Sequence, residues 1–171
     1  MPTVLRNPKN LRALFVCLLL GVGTLILYLP VRHHNFVWLD DPDYVTENAY
    51  VRMGLTTESV SWAFTHSFSS NWHPLTWISH MADWQWFGAN AGGHHLVSIA
   101  FHAVNSVILF LFLRAITGAF WRPAFVAALF AWHPTHVESV AWISERKDVL
   151  STFFGLLALW AYAGYAEKAE S

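Results

Sequence analysis

The chain has a single cysteine, Cys17, so it makes no internal disulfide and no thiolate zinc site. Charge is equally scarce. Asp, Glu, Lys and Arg together make up 12% of 171 residues, and the net charge is -1. The ten Lys and Arg are scattered rather than gathered into a stripe, which excludes a nucleic-acid partner, because neutralising phosphates takes clustered cations. Walker loops, Rossmann glycine patterns and nucleophile elbows are all missing. What fills the space is apolar: 55% hydrophobic residues, with ten Trp and thirteen Phe. That composition suits a bilayer better than water.

Three long apolar runs set the expected architecture. The first, 13–29, follows Arg6, Lys9 and Arg12 and has no small-x-small cleavage site, so it reads as an anchoring helix rather than a signal peptide. A second span is expected at about 96–113 and a last at about 149–165, each near the roughly 20 residues a bilayer requires. Between them, Ala124 to Trp132 is short, and a third crossing at about 120–133 must borrow flanking residues. The expected fold is therefore all-α and polytopic, a single membrane domain with about four spans. The basic residues agree with four: Arg6, Lys9, Arg12, Arg114, Arg122 and Lys168 then face one side, the cytoplasm, with both termini. Nine of the eleven acids fall on the opposite, outer side.

The outer loop 31–93 carries two apolar patterns at helical spacing, about 57–67 and 74–87. Both are expected to be amphipathic helices lying on the membrane, with Trp62, Trp72, Trp77, Trp84 and Trp86 in the headgroup zone. Gly88, Gly92 and Gly93 are expected to break the helix before the second span. Inside that span, His102 and Asn105 are costly in hydrocarbon and are expected to bond to neighbouring helices.

Two blocks carry candidate chemistry. Asp40 and Asp41, in Phe36-Val-Trp-Leu-Asp-Asp-Pro-Asp43, suit a general base with an orienting partner, or ligands to a divalent ion; Asp-Asp-Pro-Asp is also ordinary turn chemistry. The second block lies in the outer loop 134–148 and its edges. A helix from Thr135 would align Glu138, Trp142 and Glu145 on one face. His133 and His136 suit a phosphate or, less well, zinc, while Arg146 and Lys147 suit an anionic headgroup. The adjacent pairs His33-His34 and His94-His95 support no ligand set.

In order and spacing these blocks resemble the C-type superfamily of polytopic glycosyltransferases, in particular the amino-terminal part of the transmembrane and tetratricopeptide-repeat O-mannosyltransferases and their bacterial relatives. The resemblance rests on Asp40-Asp41, Pro74-Leu75, His95, His102, His133-Pro134-x-His136-x-Glu138-x-Val140 and Arg146-x-Asp148-Val149-Leu150. It departs at His73, where animal relatives tend to have Arg, and at Glu145, where they have Gly. The resemblance implies sugar transfer from a polyprenyl-phosphate donor to an acceptor hydroxyl on the outer face of a membrane, here a bacterial inner membrane. It makes Asp40 or Asp41 the base and Glu138 a second acid. Arg146, with Lys147, His133 or His136, would hold the donor phosphate, with room for a divalent metal. The acceptor, protein or glycan, is left open. The competing expectation is a non-catalytic polytopic fragment or subunit, and a histidine-rich metal transporter is a distant third.

Overall fold

The computed structural model describes residues 8–169; Arg6, the Lys9 side chain, Glu170 and Ser171 lie outside them. All named elements are helical, and the one β feature among the described residues is an isolated bridge between Phe68 and Asn71. Helix α1 runs Pro8–Tyr28, opened by a proline whose missing N–H costs nothing in the first turn. Pro30 then tightens the chain into a 3-10 turn, Leu29–His33.

The segment between the first two long helices folds into a π-helical turn, Pro42–Thr46, and three α-helices. Helix α2, Ala49–Arg52, is capped by Asn48, whose Oδ1 accepts from Tyr50 N and Val51 N. Helix α3, Thr57–Thr65, starts with a capping box between Thr56 and Ser59. Helix α4, Pro74–Phe87, stops at Gly88, whose φ of +56° is open to glycine at no steric cost. These helices enclose a core of their own that includes Tyr44, Val45, Val51, Met81 and Ile143. The expected placement of the tryptophans is corrected here. Trp62 and Trp77 are buried in that core, Trp77 fully, because rings facing each other across α3 and α4 exclude water from both. Trp72 and Trp86 are exposed, and Trp84 lies under the Arg52 guanidinium.

Helix α5, Ala91–Thr117, begins earlier than the sequence pattern suggests, since Asn90 caps it and both Gly92 and Gly93 lie inside it. Their smallness serves close packing. A Cβ on Gly92 would sit 2.6 Å from the Arg32 carbonyl oxygen, and one on Gly93 would sit 2.3 Å from Phe87 Cγ. Gly118, at φ +64°, ends the helix in the left-handed conformation.

Helix α6, Trp121–Trp132, is stopped by His133-Pro134, the residue before a proline being pushed to extended backbone. Twelve residues make about 18 Å, well short of a bilayer core. The chain nevertheless climbs the length of α5. Phe120 meets Phe110, His102 Nε2 donates to Ala131 O at 3.1 Å, and Val140 packs with Ile99. Between those contacts run a 3-10 turn, Pro134–His136, and helix α7, Val137–Ala141. The continuous helix expected from Thr135 is not formed. Trp142 takes an extended backbone and a second 3-10 turn, Ile143–Glu145, follows, so Glu138 and Glu145 share no helical face.

Helix α8, Arg146–Ala169, descends along α5, with Asn105 Nδ2 donating to Val149 O at 2.8 Å. His102 and Asn105 thus both make the interhelical bonds expected of polar groups in hydrocarbon. Three helical stretches among the described residues are long and apolar enough to cross a membrane: Asn10–His33, Ala91–Thr117 and Ile143–Ala169. Their outward faces carry Leu11, Phe15, Ile26, Leu159 and Tyr162, a surface that suits lipid rather than water.

Candidate functional site

The adjacent acids occupy different environments. Asp41 is fully buried: its Oδ2 accepts from Val37 N at 2.7 Å, and its Oδ1 accepts from the Ser144 amide at 3.1 Å and from the Ser144 hydroxyl. It ties the segment after α1 to the turn before α8 across 103 positions of sequence. Asp40 is half-buried, and its carboxylate takes no hydrogen bond from the described residues, while its carbonyl accepts from Tyr44 N at 2.9 Å. One acid holds the loops; the other is left with open lone pairs.

Tyr44, bonded through its amide to Asp40, is the centre of a further set of groups. Tyr44 is buried with its hydroxyl accepting from Asn71 Nδ2 at 2.9 Å, and its ring lies 5.5 Å from that of His73. Burial raises the Tyr44 phenol; Lys147 opposes this, while Asp40 and Glu145 add to it, so all three charges lie within electrostatic reach. Lys147 pairs with Glu145 at 2.6 Å. It also lines a cavity of about 590 Å³ between the start of α4 and the start of α8, together with His73, Leu75, Asp148, Leu150 and Phe154. Lys147, His73 and Asp148, with Thr76 and Ser151, form the polar side of this cavity, and Trp72, Pro74, Leu75, Leu150 and Phe154 form its apolar wall.

Burial, and secondarily the nearby Lys147, pushes His73 down to about 4 from 6.5. The folded state therefore favours the neutral ring. This contribution to stability is complete above about pH 6.5 and is lost as pH falls towards about 4. Thermal unfolding in detergent should show a falling melting temperature across that window, and His73→Gln should flatten part of the slope. An unchanged slope would mean that His73 is as solvated as in the unfolded chain.

The other expected site residues are placed differently. Arg146 is fully buried, not facing a headgroup: its Nε donates to Ser98 Oγ, Nη1 to Ser79 Oγ, and Nη2 to both Asp83 Oδ2 and the His94 carbonyl, at 2.7–2.8 Å. Its donors serve the protein. Burial raises the Asp83 carboxyl in spite of the guanidinium beside it. His133 is exposed, its Nδ1 bonded to Thr135 Oγ1 at 2.9 Å. His136 packs 4.7 Å from Phe130 and 5.6 Å from His102, and Glu138 is exposed in the first turn of α7. Neither histidine meets Arg146. Asp40 and Lys147 both act on Tyr44, and Asp41 holds Ser144; Arg146 is buried against α4 and α5, and His133, His136 and Glu138 belong to the α6–α7 turn.

Asp83, Ser98, Ser79 and Ser144 were not singled out from the sequence. The signal for Asp83 was there: it is the one acid of α4, set among Met81, Ala82 and Trp84.

The fold and this site define a polytopic α-helical membrane protein with membrane-length helices and an apolar cavity edged by Lys147, His73 and Asp148. Its sequence resembles the protein O-mannosyltransferases. It is 28% identical over 168 residues to protein O-mannosyl-transferase Tmtc2 of Drosophila melanogaster, covering 92% of this chain and 18% of that protein. It is 38% identical over 99 residues to TMTC2 of Mus musculus (57% and 12%), and 29% over 173 residues to protein O-mannosyl-transferase F38B6.6 of Caenorhabditis elegans (90% and 24%). The chain thus spans less than a quarter of the length of these relatives. No family model matches it, and no solved structure does.

Proposed function

We propose that this chain carries the catalytic front of a membrane glycosyltransferase that moves a sugar from a polyprenyl-phosphate donor to an acceptor hydroxyl. The relatives' names point to mannose and a protein oxygen as that sugar and acceptor, which in this reading is a Ser or Thr hydroxyl. The reaction takes place on the outer face of the membrane, in a bacterium the plasma membrane, where α2–α4 and the α6–α8 connection come together. The observation that carries this reading is the split between the two acids: Asp41 is buried and fully engaged, while the Asp40 carboxylate beside it takes no hydrogen bond from the described residues and acts on the same Tyr44 as Lys147, which edges the cavity.

Asp40 takes the proton from the acceptor hydroxyl as its oxygen attacks the anomeric carbon. The bond from that carbon to the phosphate oxygen breaks, and the lipid phosphate leaves with the electron pair. A phosphate is already a good leaving group, so positioning and charge stabilisation are the main demands. Lys147 answers the leaving charge at the groove's polar edge, and the polyprenyl chain follows Leu75, Leu150 and Phe154 towards the bilayer. Asp41 is a positioning residue, and Glu145 holds Lys147 until phosphate arrives.

The test is transfer of labelled mannose from a polyprenyl-phosphate donor to a Ser/Thr peptide by the protein reconstituted in liposomes. Asp40→Asn should lower the rate by about 10²–10⁴-fold, and Lys147→Ala should mainly weaken donor binding. Undiminished transfer by Asp40→Asn would refute the base. Failure of the native chain to bind or turn over donor would favour a non-catalytic subunit.

A further inference from the structure

We infer that His80, Asp83 and His94 form a binding site for a divalent transition metal of the zinc class, buried between α4 and α5. Each residue offers one ligand atom, and the three atoms lie within 4.8 Å of one another. Two imidazoles and a carboxylate are a donor set that zinc accepts. This inference does not depend on the transfer reaction proposed above.

Two observations point to a ligand. Both ring nitrogens of His80 are buried without a hydrogen-bond partner, and so is Nδ1 of His94. Buried polar atoms are nearly always partnered, so three orphans around one carboxylate call for something that they hold in common. The second observation is the tautomer of His94. Its Nε2 lies 3.0 Å from the Gly88 carbonyl, which can only accept, so Nε2 carries the proton and Nδ1 keeps its lone pair. That lone pair lies 3.5 Å from Asp83 Oδ2. Two electron-rich atoms at this separation call for a proton or a metal ion between them, which the Arg146 guanidinium, bonded to Asp83 but making no bond to the His94 ring, does not supply. A carbonyl behind the distal ring nitrogen is also the usual outer partner of a metal-bound histidine.

Arg146 also bonds to Asp83, at 2.7 Å. The two do not exclude each other, since a carboxylate has about four lone-pair sites. Its charge is matched by Asp83, and the buried Asp41 carboxylate acts electrostatically on His94 as well. A tetrahedral ion at about 2.1 Å from each ligand needs ligand atoms roughly 3.4 Å apart; His94 and Asp83 are already at 3.5 Å, and the wider pairs, within 4.8 Å, close by at most about 1.4 Å on binding. His80, held by no hydrogen bond, is the group that turns. His80, Asp83 and His94 are 0%, 1% and 0% exposed, which makes the ion a clasp between the outer helices and the bundle, not a reaction centre.

The experiment uses the whole chain purified in detergent, stripped with chelator and titrated with Zn²⁺, and with Co²⁺ as a spectroscopic probe. The native chain should bind about one ion and show the visible d–d bands of a tetrahedral nitrogen–oxygen site. His80→Gln and His94→Gln should each weaken binding by about 100-fold, at least the effect of losing an outer partner, while His66→Gln leaves it unchanged. Size-exclusion profiles report whether the variants fold, and the native titration stands without them. A native chain that binds no stoichiometric metal, or variants that bind like the native chain, would overturn the site.

Discussion

Replacing Arg146 by methionine destabilises the protein by about 3–5 kcal/mol, the cost expected when one member of a buried ion pair is removed and the other stays behind. Arg146 and Asp83 are both buried, and the guanidinium gathers Ser79 and Asp83 of α4, Ser98 and the His94 carbonyl of α5, and its own helix α8. Three elements lose a common partner at once. Arg146→Lys recovers little, because a single ammonium cannot reach four acceptors arranged for a planar fork. Asp83→Asn is milder, since an amide oxygen still accepts. The double variant Arg146→Met with Asp83→Leu should be closer to the native protein than Arg146→Met alone, because no charge is left buried without a partner. Unfolding in mixed detergent micelles on increasing SDS measures each. Equal stability of Arg146→Met and the native chain would mean that the guanidinium is solvated rather than buried.

Asp41→Ala should cost about 3 kcal/mol, and the reason is again what is left behind. Ser144 N and the Ser144 hydroxyl lose their acceptor in the interior, where each stranded buried donor costs roughly 1–3 kcal/mol, partly recovered by relaxation, and Val37 N loses its own nearer the surface. Asp41→Asn should cost about half as much, because its carbonyl can still accept from Ser144 but its NH₂ faces the Val37 amide. Asp40→Asn should leave stability within about 0.5 kcal/mol, its carboxylate having no hydrogen bond to lose. The same unfolding assay separates the two acids. If Asp40→Asn proved the more destabilising, the division of labour between them would be reversed.

Sequence alone determined the all-helical membrane character, because apolar runs of bilayer length need no partner to reveal them: each helix satisfies its own backbone. It likewise determined that His102 and Asn105 face other helices, since hydrocarbon leaves a polar side chain no alternative. It marked Asp40-Asp41 and Lys147 as worth attention, through charge beside apolar sequence. What tertiary structure decided is which charges are free and which are bound. Nothing in their residue type distinguishes Asp40 from Asp41; the difference is the folded turn, which gives Asp41 the Val37 amide, and Ser144, far along the chain, which reaches one and not the other. Arg146 and Lys147 look equally fit for phosphate in sequence, yet the turn of α8 directs one inward to Asp83 and the other to the groove. His94 looked like half of an uninformative pair until α4 brought His80 and Asp83 against it. Apolar burial is read from neighbours in the chain. Pairing between buried polar groups depends on partners that only folding brings within 3 Å or so.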